Sequence, residues 1–144
     1  MSTFCLDDMI CFAVYSAEHA FTRAYRPLLK ALDLTYPQYL ILILLWKTDG
    51  QSVKALGEQM HLDSGTLTPL LKRLEAAGHV RRVRNAADER VVNISLTETG
   101  RALQVKAQEV LASMGAAIGL CDEEREELRL QMIELRDRLN SVVA

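Results

Sequence analysis

Few side chains of this sequence are suited to nucleophilic, redox or metal chemistry: three cysteines, three histidines, and four tyrosines as phenolic donors. His19, His61 and His79 fall singly, without the i, i+4 pairing that sets two ligands on one helix face. They read as ordinary surface or core histidines, and neither a metal nor any other cofactor is expected. Cys5, Cys11 and Cys121 are odd in number, and their wide spacing fits neither a disulfide framework nor a zinc module, so a reducing compartment is expected. Cys11 draws attention through its neighbours. In "MICFAVYSAEHAFTRAYRP", residues 9–27, Tyr15 follows it by four positions and so lies one helical turn away on the same face. A free cysteine beside Phe12 and Val14 is ordinarily core filling. A buried phenol, however, is costly unless its hydroxyl finds a partner, which a thiolate could provide. Cys11 is therefore either inert packing or a thiolate held by a phenol.

The elements that must hold these residues follow from periodicity and end signals. Apolar side chains at 10, 14, 17, 21, 24 and 28 recur at helical spacing from Asp7 and Asp8, whose charges suit a helix N-terminus, until Pro27 perturbs the ladder. "TYPQ", residues 35–38, starts a second helix, with Thr35 as N-cap, Gln38 closing a capping box and Pro37 tolerated in the first turn. That helix is apolar on all sides and reads as buried to about Lys47. After the "DG" turn at 49 and 50, Ser52 caps "VKALGEQM", and Asp63 caps "SGTLTPLLKRLEAA", which stops at Gly78. "HVRRVR" and "VVNISL" are β-prone runs joined by the polar "NAADER", an antiparallel hairpin. Thr97 caps a fifth helix that Gly115 and Gly119 weaken at its end, and "CDEEREELRLQMIELRDRL" forms a sixth with Cys121 at its N-cap. A helix N-terminus favours an ionised thiol, which would suit Cys121 to a resolving role; a serviceable cap is the other reading. Cys5, in an N-terminus expected to fray, reads as packing or as having no role.

The chain reads as one domain of 144 residues, with 49% hydrophobic and 25% charged side chains. Its longest apolar run, "YLILILLW" at 39–46, is far below the roughly 20 residues of a membrane span, and the N-terminus lacks a signal pattern. A cytoplasmic protein is expected. The net charge of −2 conceals an asymmetry: residues 1–51 carry 4 basic and 5 acidic side chains, 52–96 carry 7 and 5, and 97–144 carry 6 and 9. Only the middle third is basic. There, Lys72, Arg73, Arg81, Arg82 and Arg84 face a single acid, Glu75, across residues 66–84, a local field able to neutralise phosphates.

Two short helices joined by a tight turn and followed by a basic hairpin predict a winged helix-turn-helix, mainly α with a small β-hairpin, over about 52–96. Residues 1–34 and 98–144 would be dimerisation helices. Ser64, Thr66 and Thr68 are placed to approach base edges, and Lys72 and Arg73 to reach phosphates of double-stranded DNA; Leu67, Leu70, Leu71 and Leu74 would form the packed face. "DERVVNISLTETG", residues 88–100, resembles the Asp-x-Arg, Leu-Thr-x-x-Gly signature of the MarR family of dimeric winged-helix regulators. "CFAVYSA", "YRPLLKALDLTYPQYLILILLW" and "LDSGTLTPLLKRLEAAG" are similar to the organic hydroperoxide resistance repressors of that family.

The resemblance, over roughly residues 9–100, implies a homodimeric repressor that is not an enzyme, binds operator DNA when reduced and lets go when an organic hydroperoxide oxidises Cys11. It implies that Tyr25 and Tyr36 hydrogen-bond the sensing thiolate, and that Asp88 and Arg90 brace the wing, with Arg90 reaching the minor groove and Arg84 contributing to the basic wing. Tyr15 is the third candidate beside the thiol. Tyr25 lies 14 residues beyond Cys11, about 21 Å along a continuous helix, so it could meet only the cysteine of a partner chain. The oxidised thiol would end as a disulfide with Cys121 or with a small cellular thiol. Two rivals stay open: a regulator released by a non-covalent phenolic ligand, and a thiol peroxidase, which would leave the wing unexplained.

Overall fold

In a computed structural model residues 4–143 are described, and the chain divides into two compact units, Met1–Val110 and Leu111–Ala144. In the first, helix α1 spans Ile10–Lys30 and α2 Tyr36–Lys47; the short strand β1, Gln51–Ser52, leads into α3, Val53–Met60. Helix α4 spans Ser64–Ala76, strands β2 and β3 are Val80–Arg84 and Val92–Leu96, and α5 begins at Glu98 and continues to Ile118 in the second unit. That unit also holds α6, Asp122–Val143.

The expected end signals are in place. Thr35 Oγ accepts the Gln38 N–H at 3.4 Å while Gln38 accepts the Thr35 N–H at 2.9 Å, closing the capping box of α2. Ser52 and Asp63 cap α3 and α4 by accepting the N–H of Ala55 and Thr66 at 3.1 and 2.7 Å. At the end of α4 the His79 N–H donates to the Leu74 carbonyl and the Gly78 N–H to that of Glu75. This paired closure needs a left-handed residue, which Gly78 supplies at φ 82°.

Helix α2 lies at the centre: Ile41, Leu42 and Leu45 are fully buried, and it packs against α1, α3, α4 and β3. Its all-round apolar sequence is that of a helix enclosed on most sides, with Ile43 left exposed. Leu56, Leu67, Leu71, Leu74 and Ile94 complete this core, and Leu70 is only half-buried. The face of α4 that packs is thus narrower than the run of leucines suggests.

Three features differ from the sequence expectation. The first helix starts at Ile10, since Asp7 and Asp8 belong to a separate 3₁₀ turn, Leu6–Asp8. It also runs through Pro27 to Lys30, because one missing N–H in a helix held by tertiary packing at Tyr25 and Leu29 does not end it. Thirdly, the hairpin is the larger part of a three-stranded antiparallel sheet of order β1-β3-β2, in which Gln51 pairs with Ile94 and Val80 to Arg84 pair with Leu96 to Val92. A strand of two residues shows no alternation from which to recognise it.

The corner after β3 is closely built. Thr97 donates its N–H to the His79 carbonyl at 3.0 Å and its hydroxyl to the Gly78 carbonyl at 2.6 Å, while its Oγ accepts the Gly100 N–H at 3.1 Å. A Cβ on Gly100 would overlap the His79 carbonyl oxygen and come within 2.9 Å of its carbon. Asp49, just beyond α2, accepts the Leu96 N–H at 2.8 Å and pairs with Arg101 at 2.8 Å.

In the second unit, α6 opens with Asp122, Glu123 and Glu124 and leaves Leu128, Leu130, Met132 and Leu139 exposed. No helix among the described residues is long and apolar enough to cross a membrane.

Candidate functional site

Cys11 is exposed in the first full turn of α1, with Tyr15 one turn on. Tyr15 is 61% exposed and packs edge-on against His19, ring centres 4.4 Å apart. The helix continues unbroken beyond them, so Tyr25 sits about 21 Å further along its axis and the two ends cannot meet within one chain.

At the far end three phenols converge. Tyr25 and Tyr36 stack with ring centres 4.5 Å apart, and Tyr39 tilts against Tyr25 at 5.8 Å. Burial, then the neighbouring Tyr36 and Tyr39, push the Tyr25 phenol up to about 12. Burial and Glu18 raise Tyr36, and burial and Tyr36 raise Tyr39. At neutral pH all three keep their protons and can donate an O–H. Tyr39 carried no signal of its own in the sequence. The α2 spacing of three residues from Tyr36 could have joined them, but only once the α1–α2 packing was known.

The structure therefore brings Tyr25 and Tyr36 together, keeps Tyr15 with Cys11, and leaves the two groups apart in the single chain. Cys121, in the other unit, is exposed at the start of α6, where its N–H donates to the Glu124 carboxylate at 2.9 Å. That bond holds Glu124 below the usual carboxylate range, and Glu123 is lowered chiefly by its own backbone N–H.

The opposite pole of the first unit is cationic. Ser64 and Thr66 are exposed in the first turn of α4, Thr68 is half-buried, and Lys72 and Arg73 extend from its later turns. In the loop between β2 and β3, Asp88 accepts the Arg90 N–H at 3.1 Å and its Nε–H at 3.2 Å, while Arg84 donates to the Glu89 carbonyl at 3.2 Å. The Arg90 side chain remains 91% exposed. Between α3, α4 and the sheet lies a cleft of about 380 Å³ lined by Ser52, Lys54, Thr68, Arg82 and Arg90 among others. Lys54 escaped the sequence reading, its one available hint being a lysine in the first turn after the Ser52 cap; Arg82 entered it as part of the basic run, without a place of its own in the site.

A helix-turn-helix whose second helix is exposed at its N-terminal turn, flanked by a cationic two-stranded wing, defines the MarR-type winged-helix transcriptional regulators, and the chain belongs to them. Within that class the family model for the transcriptional regulator SarA/Rot matches residues 23–106. The chain is 53% identical over 136 residues to the HTH-type transcriptional regulator TtmR of Methylorubrum extorquens (strain PA1), covering 94% of this chain and 70% of that one. It is 47% identical over 124 residues to the organic hydroperoxide resistance transcriptional regulator of Bacillus subtilis (strain 168), covering 86% and 82%. Among solved structures, reduced AbfR bound to DNA, a protein of Staphylococcus epidermidis, matches with a TM-score of 0.85 at 35% identity over 96% of this chain and 95% of that one. AbfR has also been solved in a disulfide form, which matches with a TM-score of 0.68 at 35% identity over 90% and 91%.

Proposed function

We propose that the chain is a homodimeric redox-sensing repressor that binds operator DNA while Cys11 is reduced and releases it when an organic hydroperoxide oxidises that thiol. The observation that carries this reading is the division of the site. Cys11 and Tyr15 sit at one end of α1, the donors Tyr25, Tyr36 and Tyr39 at the other, and each half lacks what the other offers. Antiparallel packing of two first helices about a two-fold axis would seat each Cys11 beside the partner's tyrosines. The exposed stripe of Ile10, Val14 and Phe21 supplies the apolar surface for it.

The chemistry is a two-electron oxidation without turnover. The thiolate attacks the distal peroxide oxygen, the O–O bond breaks, and the alkoxide takes a proton to leave as alcohol, giving sulfenic acid. Condensation with Cys121 or a small cellular thiol then expels water and forms a disulfide. Either thiol must attack as thiolate to close that disulfide.

On the DNA side, Ser64, Thr66 and Thr68 would read base edges, Lys72, Arg73 and Arg84 would hold phosphates, and Arg90, aimed by Asp88, would enter the minor groove. The relatives' names support regulation of this kind. The test is release of a selected operator duplex, followed by fluorescence anisotropy during titration with cumene hydroperoxide. Wild type is expected to let go and Cys11→Ser to stay bound. Release by Cys11→Ser equal to wild type would overturn the reading, and would favour a non-covalent ligand or another thiol.

A further inference from the structure

The tyrosine cluster and the wing are served by the two ends of one rigid element. Tyr36, the first residue of α2, stacks on Tyr25, and Trp46, next to the last, lies about 15 Å further along the helix. Tyr39 stands between them: it tilts against Tyr25 and meets the Trp46 ring edge-on, with centres 6.5 Å apart. The Trp46 indole N–H then donates to the Gly100 carbonyl at 2.9 Å. Gly100 presses against the His79 carbonyl, to which Thr97 is also bonded, and β2 begins at the next residue, Val80. The aromatic contacts therefore end on the backbone corner from which both wing strands depart.

We propose that Trp46 is the positioning residue through which the tyrosine cluster controls the wing, an inference that rests on the redox reading above. A change at the Tyr25 and Tyr36 hydroxyls when the sulfur they face gains oxygen or a disulfide would displace Tyr39 and the α2 axis. The indole delivers that displacement to the Gly100 corner because the corner has no slack: a methyl group does not fit between Gly100 and His79. Asp49 is a second tie, binding the Leu96 N–H and Arg101, but it lies in the turn beyond α2. It holds the corner without sensing the rings. From Tyr25 the coupling thus has two defined aromatic contacts, through Tyr39 to Trp46, and one defined hydrogen bond, which is removable by itself.

Trp46→Phe keeps an aromatic ring and loses the N–H donor, while Asp49 keeps the corner attached. The measurement pairs the rate of Cys11 oxidation, by mass spectrometry, with operator affinity of the fully reduced and fully oxidised protein. The expected result is an unchanged oxidation rate with the oxidised-to-reduced affinity ratio compressed about tenfold, within the usual range of couplings between sites. An unchanged ratio overturns the proposal and leaves the redox reading intact, whereas a Cys11→Ser protein that still releases DNA removes the redox reading itself. Trp46 is the only tryptophan in the chain, so wild-type emission gives a second measurement that does not depend on the variant folding. Indole emission should change on oxidation with the rate constant of DNA release; emission that stays constant while DNA dissociates overturns the proposal.

Discussion

The winged lobe and the first helix treat their polar and apolar groups in opposite ways. From Ser52 to Gly100 the lobe bonds most of its polar groups, with His79 Nδ1 a buried exception: caps on α3 and α4, Glu75 accepting the Arg82 N–H on the outer side of β2, Asp49 on Leu96, and leucines fully buried. Along α1, Ile10 is 65% exposed, Val14 and Phe21 40% each, and among the described residues of this helix only Tyr25 and Leu29 are buried. One region is closed on itself, and the other leaves apolar side chains in the open. The contrast teaches where substitutions should act: on folding in the lobe, on assembly in the helix.

The largest effect is expected at the corner, where the comparison can be broken outright. Gly100→Ala forces a methyl group into the His79 carbonyl, with backbone on both sides and nothing that can rotate away. A loss of about 3 kcal/mol or more is expected in urea unfolding, in line with overpacking against rigid surroundings. A loss below about 1 kcal/mol would mean that the Thr97 turn shifts easily, and would weaken the case for a stiff corner.

Phe21→Asp tests the other half. The side chain is 40% exposed in the chain, so folding should change little, but a carboxylate would have to be desolvated in any contact along the stripe. Sedimentation should show dissociation to monomers and loss of operator binding, with the far-ultraviolet spectrum preserved. A dimer as tight as wild type would place the contact elsewhere, with the apolar surface of α6 as the next candidate.

How much of this was legible in the sequence divides along the same line. The capping box at Thr35, the Asp63 cap and the Gly78 stop are fixed by residues within five positions of one another, the hairpin by strands no more than 16 apart at their ends, and all are present. The glycine of the Leu-Thr-x-x-Gly pattern gains its physical reason only when His79 arrives from 21 residues away. Periodicity marked the α1 stripe but could not tell a buried face from the exposed one that the fold leaves. Tyr39 and Lys54 remained silent because each gains its setting from a neighbour brought in by the fold.

Lys54→Ala sharpens the comparison on the DNA side by a smaller amount. If a phosphate occupies the cleft between α4 and the wing, the slope of log affinity against log salt should fall by about 0.9, with equal weakening on specific and unrelated duplexes. Lys72→Ala should do the same. A loss confined to the selected operator would make Lys54 a reader of bases or of groove shape.

The smallest effect is expected at Tyr25, and it appears only in alkali. The phenol is raised to about 12, so below its ordinary value of 10 it is protonated in folded and unfolded chains alike, and its contribution to stability is whole. As pH rises from about 10 toward 12, the unfolded chain ionises while the folded one holds the proton at the expense of a buried anion, so stability must fall across that window. Tyr25→Phe has no proton to lose and should show a shallower decline between about pH 9 and pH 11, with little difference at neutral pH. Unfolding curves at both pH values, beside ultraviolet titration of phenolate, measure it. Equal declines in the two proteins would mean that Tyr25 ionises as a phenol in water does, and that the cluster is too open to hold its proton above the ordinary range.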